Sequence, residues 1–473
     1  MLFNSLEFAL FFLIVYSLYL IFDHRKQNIL LLAASLFFYG SWDWRFLLLL
    51  LFSSTVDYYL SLAIYRAQDS KRRNFFLTLS IILNLVILGV FKYFNFFVSS
   101  LERLTAALNF NFHPHFLNIV LPVGISFYTF QELSYTIDVY RKEIIPPKKI
   151  SDFTLFVSFF PQLVAGPIER ATHLLPQVLS PRKITLSGFY EGCYLIFWGL
   201  FKKIFIADNL THLVDPVFTS APPYDGGAVL MAVYSFAIQI YCDFSGYSDM
   251  ARGLGRCLGF DIMLNFNLPY LSSNPREFWQ RWHISLSTWL KDYLYIPLGG
   301  NKDGRLKTYR NLFLTMLLGG LWHGASWVFI IWGIFHGALL ILHRSLQNFL
   351  KKFSICRYMD SLWIFHLLKI IFFFHVICLG WLIFRAQSAL QIVQMINAII
   401  FNFNDRLFFF YLKDFIFFMW VLALVQAVQF LRKDLMVIYK THAVARAIFY
   451  VFCFSLLVAW GSINGKAFIY FQF

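Results

Sequence analysis

This chain has little charge. Of 473 residues only 14% are Asp, Glu, Lys or Arg, and acids are the scarcer sign, 25 against 40 basic residues. A soluble domain of this length needs more charge to cover its surface. Cysteine is present but without pattern. Cys193, Cys242, Cys257, Cys356, Cys378 and Cys453 stand singly in or beside apolar runs. That spacing offers no zinc site and no disulfide framework, so they are expected to be small buried residues and no metal is expected. Internal repeats and low-complexity tracts are absent too. The first apolar run, from Leu6, lacks a basic n-region and a small-residue cleavage site, so it is expected to be a retained membrane helix.

What is there instead is hydrocarbon. Hydrophobic residues make up 59% of the chain, and apolar windows able to cross roughly 30 Å recur from end to end. The expected fold is all-α and polytopic, with about 11 transmembrane helices plus re-entrant and amphipathic ones. It is taken as a single membrane-embedded domain, residues 1–473, with N-terminal spans to 120, a core over 121–345 and C-terminal spans from 346. The net charge of +15 falls in short stretches between apolar runs, which fits topology and anionic lipid and argues against nucleic acid. If DHRKQ and RAQDSKRR face the cytoplasm, the N-terminus lies outside, and the same charge rule puts the C-terminus outside.

Polar departures from this background mark candidate sites. In the returning span 121–139, Tyr128, Glu132 and Tyr135 share one helical face. An ionisable group at membrane depth costs on the order of 2.5–3.5 kcal/mol, so Glu132 should face protein or water, as a pathway group or simply as helix-to-helix glue. Residues 151–165 are too short to span and stop at FFPQLVAGPIER, a re-entrant or half-buried segment. Lys202 and Lys203, followed by Asp208 and Asn209, either snorkel at an interface or lie near an anionic substrate. Further on, Gln239, Asp243 and Gly246 share a face, with Ser248 and Asp249 beyond them. Arg252 and Arg256 are the expected ion-pair partners of these acids.

The strongest concentration lies between Asn274 and His336. Asn274 as N-cap, Pro275 at the first helical position and Glu277 three residues after the cap mark a helix start. Arg276, Gln280, His283 and Ser287 then fall on one face of a continuous helix, opposite Trp282, Leu286, Trp289 and Tyr293. Such a helix suits a position dipping into the membrane from the cytoplasmic side. It ends at IPLGG, and NKDGRLKTYR reads as a basic loop before the chain re-enters the membrane at Asn311. The run GGLWHGASW surrounds Trp322 and His323 with glycines that a ligand could approach closely. In the next helix, 326–342, Gly333 and Gly337 have GxxxG spacing for tight packing, with His336 between them. A neutral imidazole buried away from water can take a proton from an attacking hydroxyl. From residue chemistry alone this is equally compatible with a proton relay in a transporter.

The runs FPQLVAGPIER, YCDFSGYSDMARGLGRCLGF, NFNLPYLSSNPREFWQRWHISLSTWLKDYLYIPLGGN and LWHGASWVFIIWGIFHG resemble the signature of membrane-bound O-acyltransferases. They are most similar to the bacterial branch that includes the alginate O-acetylation proteins. The resemblance covers at least residues 120–345. It implies the family's helical fold with a central tunnel and an O-acyltransferase, most simply an O-acetyltransferase, with His323 as principal catalytic residue. It also implies that His283, the second catalytic residue of the pair, lines the tunnel by which the donor enters. Trp279, Gln280, Ser287, Trp322, Gly324, Asp243, Glu132 and His336 are the expected tunnel-lining or supporting residues. The implied donor is acetyl-CoA or another cytoplasmic acyl thioester, with no bound cofactor. The implied acceptor is an exported polysaccharide, or a periplasmic acetyltransferase partner that acylates it, at a bacterial inner membrane. D-alanyl transfer to teichoic acid and peptidoglycan O-acetylation are the alternatives within the family; a transporter of acyl groups is the alternative outside it.

Overall fold

The structure, a computed structural model, describes residues 1–110, 114–163, 166–350, 362–462 and 468–469. Every regular element among them is helical. Seven helices are long and apolar enough to cross a membrane by length and composition: Trp44–Arg66, Ser70–Ala107, Gly226–Cys257, Trp327–Gln347, Trp363–Arg385, Asp405–Arg432 and Ala443–Trp460. Leu6–Ile21 and Ala389–Phe401 are apolar but shorter. Among the other expected spans, Leu6–Ile21, His24–Gly40 and Ile125–Arg141 are short, at 16, 17 and 17 residues, whereas Arg305–His323 has 19 residues but a more polar sequence. The segment from 151 folds as two short buried helices, Ile150–Ser158 and Phe160–Leu163. Val164, Ala165 and Cys356 lie outside the described residues.

The described residues form two compact units, Met1–Ile196 with Met250–Met263, and Phe197–Asp249 with Leu264–Phe473. In the first, the basic stretches expected as loops are instead the opening turns of helices. Asp23 caps His24–Gly40 by accepting from the Lys26 N–H, and Asp69 caps the helix from Ser70 by accepting from the Lys71 N–H. A side-chain oxygen on an otherwise orphan donor is enough to start a helix there. The second of these helices runs 38 residues to Ala107, through a π-helical turn at Gly89–Tyr93. Ile125–Arg141 is buried along nearly its whole length. Its Glu132 carboxylate accepts from Ser54 (2.7 Å) and Ser53 (3.1 Å), while Tyr135 bonds Ser61 at 2.8 Å.

In the second unit, Lys202 and Lys203 do not snorkel. Both are buried, Lys202 pairing with Asp249 at 2.7 Å and Lys203 with Asp208 at 2.7 Å and Asp243 at 2.6 Å. These lysines therefore take the place expected for Arg252 and Arg256. A π-helical turn at Phe201–Ala207 brings them round to the acids, and Gly246 packs so closely that an added Cβ would lie 2.8 Å from the Gly199 carbonyl oxygen. In the first unit, Arg256 pairs with Glu191 and Asp261.

The hairpin of Arg305–His323 and Trp327–Leu350 dominates the second unit. Its first helix starts at Arg305, six residues before Asn311, after the positive-φ Gly304. Part of the expected basic loop is thus helix. The second helix likewise runs past the expected end at 342, through HRSLQNFL, to Leu350. A Cβ on Gly333 would meet the Met316 carbonyl oxygen at 2.6 Å, and one on Gly337 the Phe313 Cα at 3.3 Å. The GxxxG face is where the two helices close.

Candidate functional site

The helix start at Asn274 forms as expected. The Asn274 side chain accepts from the Glu277 N–H at 2.9 Å, and Glu277 reaches back to the Ser273 N–H at 2.9 Å. Four turns of continuous helix do not follow. Pro275–Arg281 ends, Trp282 is extended, and His283 sits in the left-handed region at φ 43°, ψ 55° before Ile284–Leu290 resumes. His283 therefore does not continue the face of Arg276 and Gln280. The cause is a non-local backbone. Asn267 donates to the Arg281 carbonyl, and the Asn265 carbonyl accepts from Ile284, both at 2.9 Å, supplying bonds the interrupted helix loses. Left-handed backbone at a non-glycine residue is strained and persists only where its surroundings over-determine it.

Those surroundings are specific. The Asn265 carboxamide oxygen lies 3.2 Å from His283 Nδ1, 3.2 Å from the Ser285 backbone N and 3.0 Å from Ser285 Oγ, while its amide nitrogen donates to Ser248 Oγ at 3.2 Å. His283 and Asn265 are fully buried. Burial pushes the His283 imidazole down to about 3, so the ring is neutral at physiological pH. Phe244 packs edge-on against it, ring centres 4.6 Å apart.

His323 ends the helix that began at Arg305. Three aromatic rings enclose it: Trp322 at 5.1 Å, Trp332 at 4.9 Å and Phe384 at 5.3 Å between centres. Gly324 follows in extended backbone, and a Cβ there would collide with the Phe329 ring, so glycine is needed for close packing. The Trp322 ring centre is also 6.0 Å from that of His283. One indole thus touches both histidines. His336 extends the row, with Trp332 at 4.5 Å and Trp279 at 5.1 Å.

Trp279 is the link to open space. It lines a cavity of about 1130 Å³ together with Arg276, Gln280, Ser287, Lys291, Lys302 and Arg344 among others. Of the expected tunnel residues, Trp279, Gln280 and Ser287 line this cavity, and Trp279 meets Trp332, a wall of the His323 box, at 5.7 Å. Asp243 is instead held by Lys203 and by the Ile469 N–H at 2.7 Å. Glu132 belongs to the other compact unit. Two features escape the sequence reading: Asn265, which opens the run NFNLPYLSS but is not singled out in it, and the cationic lining from Lys302 and Arg344, contributed by separate segments. Among the described residues the lining has one acid, Asp303, 3.6 Å from Lys307. The cavity is accordingly cationic and suits an anionic ligand.

A helical hairpin, two histidines set among aromatic rings and an adjoining cationic cavity make up the candidate site. The model of the MBOAT, membrane-bound O-acyltransferase, family matches residues 141–384, and the chain belongs to that family as an O-acyltransferase. It is 44% identical over 411 residues to the probable alginate O-acetylase of Azotobacter vinelandii, covering 86% of this chain and 79% of the relative. Its similarity to the probable alginate O-acetylase of Pseudomonas aeruginosa is 45% over 411 residues, 85% and 75% of the two chains. The peptidoglycan O-acetyltransferase of Helicobacter pylori is 38% identical over 393 residues, 77% and 72% of the two chains.

Proposed function

We propose that this enzyme moves an acetyl group from a cytoplasmic thioester, acetyl-CoA in the simplest case, to a hydroxyl of an exported polysaccharide such as alginate, or to a periplasmic acetyltransferase partner that passes it on. The names of the most similar relatives support acetyl and polysaccharide. The observation that carries the mechanism is the position of His323, boxed by Trp322, Trp332 and Phe384 and separated from the cationic cavity by the Trp332–Trp279 contact.

The chemistry follows from that position. The donor's anionic end rests in the cavity, and its acyl group reaches past the histidine-bearing break through the tunnel of this reading toward His323. The attacking hydroxyl forms a C–O bond to the acyl carbon as the C–S bond breaks. His323 takes the hydroxyl proton and returns it to the leaving thiolate. General base help of this kind contributes typically ~10²- to 10⁴-fold, and the dry aromatic box keeps water from competing for the thioester. In this reading the whole chain acts as one membrane domain, N-terminus outside. Leu6–Ile21, His24–Gly40 and other shorter or more polar helices complete about eleven crossings of a bacterial inner membrane. No bound cofactor or metal takes part.

The test is purified protein with labelled acetyl-CoA, following label into oligosaccharide or partner. His323→Ala should lose at least ~100-fold of the transfer rate at unchanged abundance. Transfer at the wild-type rate by that variant would refute the assignment.

A further inference from the structure

The hydrogen bonds around Asn265 fix more than a loop. The backbone N–H of Ser285 cannot reverse its polarity, so the Asn265 atom that meets it must be the oxygen. The same oxygen faces His283 Nδ1 at 3.2 Å. Two lone pairs facing each other at that distance would repel, so Nδ1 must carry the imidazole proton. In a neutral ring the lone pair then belongs to Nε2. Ser285 Oγ, 3.0 Å from the oxygen and 3.4 Å from Nδ1, is a third donor on an atom with two lone pairs and is the dispensable one. Asn265 itself is anchored from behind by Ser248 Oγ, and its backbone carbonyl accepts from Ile284, the residue after the left-handed His283.

We propose that Asn265 is a positioning residue of the acyl-transfer site: through one carboxamide oxygen it holds His283 in its left-handed backbone position as the Nδ1–H tautomer, presenting Nε2 as a hydrogen-bond acceptor to the reacting groups. This rests on the reading that His283 takes part in transfer. A metal-free histidine needs such a partner because either tautomer alone is nearly as stable in solution, and only one places the accepting nitrogen on the ring edge away from Asn265. Glutamine is too long for the site and aspartate has the right shape with the wrong charge.

The charged groups of the neighbouring elements are already committed. Asp243, beside Phe244, pairs with Lys203 at 2.6 Å, Asp249 pairs with Lys202 at 2.7 Å, and Glu277 pairs with Arg281 at 2.7 Å. The side chains described against His283 itself, Phe244, Trp322, Asn265 and Ser285, do not titrate near neutrality. A carboxylate placed at 265 would lie within hydrogen-bond distance of His283 Nδ1 and would favour the imidazolium.

The experiment is the pH profile of kcat/KM for acetyl-CoA, with purified protein in detergent, for wild type, Asn265→Asp, Ser285→Ala and His283→Ala. Asn265→Asp keeps the acceptor for Ser285 and should accumulate normally. Its acid limb should lie at least about one pH unit above the wild-type limb, which burial of His283 sets low. Ser285→Ala should stay within about twofold. An Asn265→Asp profile superimposable on wild type, with His283→Ala inactive, would overturn the positioning role and leave the function standing. Wild-type activity in His283→Ala would instead overturn the reading of His283 on which the role rests.

Discussion

The rings of His323 and Trp332 meet edge to face, their centres 4.9 Å apart and their planes at 84°. Trp332 also contacts Trp279 at 5.7 Å, so it is both a wall of the histidine box and the partition behind the cavity. Trp332→Ala should breach that partition. Acetyl-CoA hydrolysis without an acceptor should rise while transfer to acceptor falls, giving a ratio of hydrolysis to transfer at least about tenfold above wild type. Thiol release measured with and without acceptor reports the ratio.

The cavity's cations predict a binding effect separable from chemistry. Arg276, Lys291, Lys302 and Arg344 line it, with Asp303 as the opposing acid. Arg276→Glu combined with Arg344→Glu should raise KM for acetyl-CoA about tenfold or more, leave kcat within about threefold, and weaken the salt dependence of KM. Steady-state kinetics at two ionic strengths decides it.

Lys203 is predicted to matter for folding. Its ammonium is shared by Asp208 and Asp243, and all three side chains are almost wholly buried. Removing one member of a buried pair leaves a stranded charge and costs about 3–5 kcal/mol. Lys203→Met should sharply reduce the monodisperse protein recovered in detergent. Adding Asp208→Asn and Asp243→Asn should recover much of it, as size-exclusion chromatography of a fluorescent fusion would show.

His173 sets a pH dependence of stability. Asp261, with Glu169 2.8 Å from Nδ1, favours the imidazolium and raises its pKa to about 10. A raised histidine pKa stabilises the fold fully below the unfolded value near 6.5, and that contribution drains away as pH rises through about 10. Asp261 runs the other way. His173 holds its carboxyl below the ordinary value, so its contribution is present above that value and lost in acid. The His173 side chain is 39% exposed, so screening keeps the effect modest. Thermal unfolding should show wild type losing about 1–2 °C more than His173→Gln between pH 7 and 10.

How far the sequence foretells this site varies with the range of the cause. The start at Asn274 to Glu277 and the packing of Gly333 and Gly337 are local, written within one helical turn, and both form. The break at His283 is not. Its helical period is sound over Arg276, Gln280 and Ser287, and it is overridden by two backbone bonds from Asn265 and Asn267, residues that nothing in the helix's own sequence names. The acids of Gly226–Cys257 fail in the same way: arginines close in the chain are plausible partners, but a π-helical turn from another segment delivers lysines first. The family motifs made both histidines legible, and the cationic cavity was hidden because its lining comes from separate stretches.

The π-helical turn at Gly89–Tyr93 lies almost midway along the 38-residue helix from Ser70 to Ala107. That helix is about 57 Å long at 1.5 Å per residue, close to twice the hydrocarbon depth. A π-turn adds one residue to the ladder and so rotates everything beyond it by about 100° relative to an unbroken α-helix. The two halves are therefore out of phase, like a shaft keyed twice at different angles. Side chains up to Leu88 and those from Phe94 share no single continuous stripe, and the offset between them is set by a five-residue splice rather than by the helix's length.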